Sequence, residues 1–189
     1  MRCKIMVTGV VISLLLLLTG GCLVTSIHPL YFEEDVVFKP ELLGTWSMKD
    51  DNSNWMFKED KDNTYKLIIF DEKTSGKFEA HLLRLGEYMF LDIFPEEPEE
   101  SMNVMYYLHL VPVHSFFKVT LAGDSLALGN VDLELFEDWV EQKKADIKYE
   151  HFDDRYLLTA PTKELQEFYM KRAKEDSFTI NFLFRRETE

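Results

Sequence analysis

The chain has 189 residues, with 34 Asp and Glu against 21 Lys and Arg, so its formal net charge at pH 7 is −13. Such an acidic surface repels phosphate backbones, which excludes nucleic acid as a partner. Hydrophobic residues make up 46% of the chain and include 15 Phe, 8 Tyr and 3 Trp. This composition argues against intrinsic disorder and predicts a folded, aromatic-rich core.

The N-terminus has the pattern of a secretory signal. Arg2 and Lys4 precede an apolar stretch over residues 5–18, and the small residues Thr19-Gly20-Gly21 follow it. A basic start, an apolar centre and a small-residue end are typical of signal peptides. The apolar stretch is shorter than the roughly 20 residues that cross a bilayer as a helix. We therefore predict a signal peptide over residues 1–21 rather than a permanent transmembrane helix.

The residues around Cys22 refine this prediction. Leu18-Thr19-Gly20-Gly21-Cys22 resembles the lipobox of bacterial lipoproteins, with the leucine one position further from the cysteine than usual. The resemblance implies cleavage before Cys22 and lipidation of its thiol with acyl chains such as palmitate. The other cysteine, Cys3, would leave with the signal, so Cys22 would have no disulfide partner. Two or three acyl chains would hold the protein firmly on a membrane, whereas one gives only marginal binding.

The resemblance to lipoproteins also implies a location in the cell envelope. Leu23 follows the cysteine where Asp would favour the inner membrane, so we expect the periplasmic face of the outer membrane if the host is Gram-negative. The mature chain would keep 168 residues (189 minus 21), with 19 Lys and Arg against 34 acids and a net charge of −15. That length suits one domain. We predict a lipidated tether over residues 22–39 and a barrel domain over 40–189, with Leu30 and Tyr31 of the tether docking on the domain.

The elements that follow are mostly β-strands. A helix is predicted after Asn130 as its N-cap, with Phe136 and Trp139 in its apolar stripe, and another after Thr162, with Leu165 and Phe168 in its stripe. Strands are predicted over residues 42–48, 54–58, 64–70, 77–83, 88–94, 105–111, 116–121, 125–128, 147–152, 155–159 and 178–186. Some eight to ten antiparallel strands among these eleven segments predict a mainly β fold, a closed barrel or strongly curved sheet with two short helices.

The first strand carries a known signature. Gly44-Thr45-Trp46 resembles the Gly-x-Trp motif of lipocalins, which implies an eight-stranded barrel with Trp46 closing one end. In that family an arginine of the last strand packs across the tryptophan. Arg186 shares strand parity with Phe182 and Phe184 and is the candidate, with Arg185 as the alternative. The mature chain is also similar to small bacterial lipoproteins that begin with a Pro-Leu-Tyr segment and a Gly-Thr-Trp strand, a similarity that implies no particular activity.

Several polar groups are candidates for chemical sites. His109 and His114 are five residues apart, so on one strand they point to opposite faces. His151-Phe152-Asp153-Asp154 is typical of a turn, and the acids Glu96, Glu97, Glu99 and Glu100 are typical of a solvated surface. We predict no metal site, no cofactor and no catalytic residue, because nucleophile and phosphate-loop motifs are missing from the sequence. An active site formed by acids from distant positions in the sequence, as in glycosidases, remains the alternative to a non-enzymatic protein.

Aromatic residues on the strands carry the functional hypotheses. Phe78, Phe90, Phe117 and Phe182 lie at alternating positions, where they either line a pocket or fill a core. The leading hypothesis is a non-enzymatic, membrane-anchored module that binds a small apolar ligand. The alternative is a solid-cored interaction protein, such as an inhibitor or assembly factor, that contacts another envelope protein. An interior cavity of several hundred Å³ favours the first, and a filled interior favours the second.

Overall fold

A computed structural model describes residues 23–49, 51–98, 102–131, 133–153 and 155–187 of the chain. The predicted signal peptide, residues 1–21, and the predicted lipidation site Cys22 lie outside the described residues. Within the described ranges, no helix has both the length and the apolar character that a bilayer crossing requires.

The described residues form eleven strands and three α-helices. In chain order the strands are β1 (Thr25–Ser26), β2 (Gly44–Met48), β3 (Asn54–Glu59), β4 (Tyr65–Phe70), β5 (Ser75–Leu85), β6 (Tyr88–Pro95), β7 (His114–Ala122), β8 (Ser125–Asn130), β9 (Tyr149–Phe152), β10 (Arg155–Leu158) and β11 (Thr179–Arg186). The helices are α1 (Val104–Tyr107), α2 (Leu133–Glu141) and α3 (Thr162–Lys174), and short 3-10 turns lie at Glu33–Asp35, Pro40–Leu42 and Lys61–Asn63.

Eight of the strands close into an antiparallel barrel. Strands β2 to β8 pair in sequence order, and β11 pairs with both β8 and β2. Closure leaves no free edge among these eight strands. The predicted fold class, a mainly β protein with an antiparallel barrel and short helices, is confirmed.

A small extension continues the sheet beyond the barrel. The first residues of β7 pair with β1, with Ser26 opposite His114, and β7 pairs with β8 only from Lys118 onward. Strand β10 lies parallel to β1 and β9 forms the outer edge. Strand β1 lies within the segment predicted as a tether. The sequence did not predict this strand, because two residues are too few to show an alternating pattern.

The N-terminal segment wraps round the outside of the barrel. Leu30 is fully buried, and its N–H donates to Asp92 Oδ2 at 2.8 Å. The Tyr31 ring stacks on His81 with centroids 4.1 Å apart. Val36 forms a single antiparallel bridge with Leu83. Leu30 and Tyr31 therefore dock as expected, and the segment between them and β2 is part of the folded domain.

Two apolar cores lie on opposite faces of the barrel wall. The first fills the barrel interior, and the second lies outside, between the wall formed by β5 to β7 and the helices α2 and α3. Strand β6 serves both cores, because Leu91 and Ile93 face the interior while Phe90 faces the helices. The outer core is held by many edge-to-face ring contacts, among them Phe136 with Phe168 and Phe116 with Tyr169.

Two local predictions were wrong. Residues 105–111 form no strand. The Asn103 side chain instead accepts hydrogen bonds from the N–H groups of Met105 and Tyr106 and so begins the helical turn α1. Asn130 caps no helix, because it is the last residue of β8 and pairs with Thr179.

The second predicted cap also differs. Thr162 is the first residue of α3, and Pro161 occupies the N-cap position. The Thr162 hydroxyl donates to the Pro29 carbonyl at 2.8 Å, which joins the helix to the N-terminal segment. The helix itself follows the prediction, with Leu165 and Phe168 in the outer core.

Candidate binding surfaces

Trp46 and Arg186 pack against each other where β2 begins and β11 ends. Trp46 is fully buried, and its indole N–H donates to the Leu42 carbonyl at 2.9 Å. The Arg186 guanidinium carbon lies 4.4 Å from the centroid of the Trp46 ring, and its N–H groups donate to the carbonyls of Leu43 and Glu41. Arg185 is exposed. Of the two candidate arginines, the structure therefore places Arg186 across the tryptophan.

The glycine of the Gly-x-Trp motif has a physical role at this contact. Gly44 has φ of +116°, a conformation that side chains of other residues disfavour. A Cβ atom at Gly44 would also stand only 3.0 Å from Arg186 Nη1. The glycine therefore lets the arginine lie close to the start of β2.

The barrel interior is filled by aromatic side chains. Trp55 lies among Phe117, Phe182 and Phe184, with ring centroids 5.9, 5.5 and 5.2 Å away. Phe117 is 1% exposed and Phe184 is fully buried. Phe78 packs at the margin of the same cluster. Three of the four predicted pocket residues, Phe78, Phe117 and Phe182, thus share the interior.

Phe90, the fourth predicted pocket residue, lies outside the barrel. Its ring contacts Tyr169 and Phe178, with centroids 6.2 and 5.9 Å away. The prediction failed because β6 is apolar on both faces, so alternation alone does not show which face is interior. Phe90 is a core residue between the barrel and α3, not part of an interior pocket.

A small recess opens at the end of the barrel near Leu42. Its volume is about 70 Å³, and it is lined by Lys39, Leu42, Leu82, Met89, Val119 and Leu121. Pockets for small organic ligands usually have roughly 300 to 1,000 Å³. The fold is compatible with a ligand-binding module, but this recess is too small to enclose a ligand of that kind.

A buried acid on β6 was missed by the sequence reasoning. Asp92 is 1% exposed, and its Oδ1 accepts a hydrogen bond from His114 Nδ1 at 2.7 Å while Oδ2 accepts from the Leu30 N–H. Burial raises the pKa of the neighbouring Tyr169, and the Asp92 charge raises it further. The signal for this site was a single acid inside the apolar strand β6. Oδ2 thus fastens the N-terminal segment to the barrel, while Oδ1 holds the His114 ring at the start of β7.

The other polar candidates have local partners. His109 Nδ1 forms a 2.5 Å hydrogen bond with the Met105 carbonyl, and His151 stacks on Tyr156 with centroids 4.2 Å apart. Burial lowers the pKa of His81, although the nearby Asp92 opposes the shift. In the described part of the chain, no group of three or more His, Cys, Asp or Glu residues is arranged to hold a metal ion.

The connection between β6 and β7 carries an exposed apolar segment. We call residues 102–111 the apolar finger. It contains α1, and it has no Asp, Glu, Lys or Arg. Eight of its side chains are large, apolar and exposed: Met102, Val104, Met105, Tyr106, Tyr107, Leu108, Leu110 and Val111. The Tyr107 hydroxyl donates to Glu97 Oε1 at 3.3 Å. Apolar patches of this kind on a soluble surface commonly mark interaction sites.

No protein-family model, no curated protein and no solved structure matches the chain.

Proposed function

We propose that this protein is a non-enzymatic, membrane-anchored interaction protein of the bacterial cell envelope. In this proposal the barrel is a rigid scaffold and the surface contacts a protein partner. The filled barrel interior carries the proposal, because a carrier of apolar ligands needs interior space. It favours the solid-cored alternative over the apolar-ligand hypothesis, although the barrel fold itself is compatible with both.

The packing around Trp55 supports a scaffold role. Its indole touches aromatic rings from β7 and β11, so strands from different parts of the barrel are joined through one side chain. Interiors packed in this way transmit strain and resist deformation. A ligand of ordinary size would have to displace several of these rings. Such a barrel is better suited to hold surface residues in fixed positions.

The N-terminal sequence supports the anchoring part of the proposal. The signal pattern and the lipobox-like residues precede Leu23 directly, and Leu23 packs against the barrel core. Val24 is buried in the outer core. With lipid on Cys22, the domain would be held close to the membrane with no free linker. Because the mature chain is strongly acidic, the acyl chains rather than ionic contacts with anionic lipids would supply the attachment.

Native mass spectrometry tests the solid-core proposal. The mature protein is purified gently from its own host, and its mass is compared with that of the covalent chain plus lipid. We expect no additional stoichiometric molecule, and we expect solvent extraction to release no apolar compound. A bound apolar molecule at one copy per chain would refute the proposal and restore the carrier hypothesis.

Metabolic labelling with an alkyne-bearing palmitate analogue tests the anchor. We expect the wild-type chain to incorporate the label and to fractionate with membranes. Cys22→Ser is expected to lose both properties, whereas the matched variant Cys3→Ser keeps them because Cys3 lies in the predicted signal peptide. Equal labelling of wild type and Cys22→Ser would show that the anchor assignment is wrong.

A further inference from the structure

The apolar finger is largely exposed, and no described element packs over it. Val104, Met105 and Tyr106 are 70%, 64% and 64% exposed, and they follow one another round a single helical turn. Exposure is therefore not confined to one face of the turn. A knob that is apolar on all sides fits a concave groove better than a flat surface. Methionine and tyrosine are also common anchors in such grooves.

The register of β1 shows which way the finger lies from the anchor. Strands β1 and β7 are antiparallel, with Thr25 opposite Ser115 and Ser26 opposite His114. Moving along β1 away from Leu23 therefore leads toward the start of β7, where the finger joins the barrel. The finger therefore joins the barrel at the end that β1 approaches, whereas Leu23 lies toward the opposite end of β1. This placement favours a protein partner over the anchoring bilayer.

Charge at the base of the finger specifies the partner further. Three acids, Glu97, Glu99 and Glu100, precede the finger within five residues of the sequence, whereas the earlier Glu96 is paired with Lys66 Nζ at 3.0 Å. Glu97 is exposed and is joined to the finger through the hydroxyl of Tyr107. The finger itself is uncharged, and the mature chain is acidic overall. A complementary surface therefore has an apolar centre and a basic rim.

We propose that the apolar finger docks into an apolar groove of a second envelope protein, with Lys or Arg residues at the rim of the groove facing the acids at the base of the finger. This inference rests on the proposed function and adds the docking element and the chemistry of the partner surface. The recognition is of the type in which a short helical element fills a hydrophobic groove.

The test is photo-crosslinking of the full chain in its native host. The photoreactive residue p-benzoylphenylalanine is placed at Tyr106, and in a separate strain at Leu183, which is 59% exposed on the barrel wall and controls for general apolar stickiness. Crosslinked peptides are mapped by mass spectrometry. We expect position 106 to react with one envelope protein, within an apolar stretch flanked by Lys or Arg, and position 183 to give no such product.

Two variants test the stated chemistry. Val104→Ser combined with Leu108→Ser removes apolar contact, and we expect the yield at position 106 to fall about tenfold. Glu97→Lys reverses a charge at the base, and we also expect a fall of about tenfold. Glu59→Lys, an exposed acid on β3, is the matched control and is expected to leave the yield unchanged.

The outcomes separate this inference from the proposed function. Adducts at position 106 with phospholipid, with a second copy of this chain, or with a protein site that lacks basic flanks would each overturn the docking assignment. A partner captured at position 183 and not at 106 would overturn the docking assignment and leave the interaction function in place. The absence of a protein adduct at both positions would contradict both.

Discussion

Truncation of Phe117 tests the filled interior on which the proposed function depends. Phe117 is 1% exposed, and its ring lies 5.9 Å from Trp55 and 5.7 Å from Phe182 by centroid distance. Replacing a buried Phe by Ala removes its transfer free energy and leaves a cavity, which together cost about 3 to 5 kcal/mol. Because the neighbouring rings are tied to different strands, they have little freedom to collapse into the gap. We expect the upper part of that range.

Urea denaturation followed by tryptophan fluorescence measures this cost. With a slope of about 2 kcal/mol per M, a cost in the upper part of that range places the midpoint of Phe117→Ala about 2 to 2.5 M below that of wild type. Phe152→Ala is the control, because Phe152 is 45% exposed on the edge strand β9, and its cost is expected to be under about 1 kcal/mol. The new cavity should also bind benzene, which would raise the midpoint of Phe117→Ala alone.

A small effect would refute the reasoning. If Phe117→Ala unfolds within about 1 kcal/mol of wild type, the side chain does not fill the interior, and a ligand cavity becomes the better account of the barrel. A benzene effect of equal size in wild type would lead to the same conclusion, because it would require interior space that the native packing leaves open.

Asp92→Ala is expected to cost about 3 kcal/mol, since it leaves two buried hydrogen-bond partners unsatisfied, while the exposed Glu59→Ala changes the urea midpoint little. Arg186→Ala is expected to cost about 2 kcal/mol through the lost ring contact and carbonyl hydrogen bonds, and the adjacent Arg185→Ala under about 0.5 kcal/mol; equal effects would contradict the assigned pair. Burial raises the pKa of Tyr65 from 10.0 to about 12, so above pH 10 the unfolded state loses its proton first and stability falls as the pH rises. Tyr65→Phe should show a shallower fall in thermal melts between pH 10 and 12, and an unchanged slope would contradict this cause.

The sequence predicted the parts of the fold that depend on local pattern. The local pattern located the barrel strands, among them β7 and β8, which were predicted over residues 116–121 and 125–128. The Gly-x-Trp motif led to Trp46 and, through strand parity, to Arg186. The strand positions were predictable because alternation depends only on neighbours in the chain. The contact between Trp46 and Arg186 was predictable because the motif implies that the first and last barrel strands are paired.

The failed predictions share a different physical origin. The apolar finger looked like a strand because its apolar residues suit a buried sheet, and only the side chain of Asn103 and the missing strand partner decide for a helical turn. Phe90 was assigned to the interior because a strand between two cores is apolar on both faces. In both cases the local pattern is compatible with two environments, and a distant element selects one.

What the sequence by itself determined is the fold class, an acidic, mainly β domain with an antiparallel barrel and short helices. The signal peptide and the lipidation of Cys22 stay predictions. Only the tertiary structure decided that the barrel is filled, that residues 23–43 are fastened through Asp92, and that the apolar finger is exposed. The physical reason is that burial is a property of several segments together. Helices α2 and α3 cover the outer wall of the barrel, whereas no described element covers residues 102–111. The spacing of apolar residues within the finger does not show whether another element will bury them.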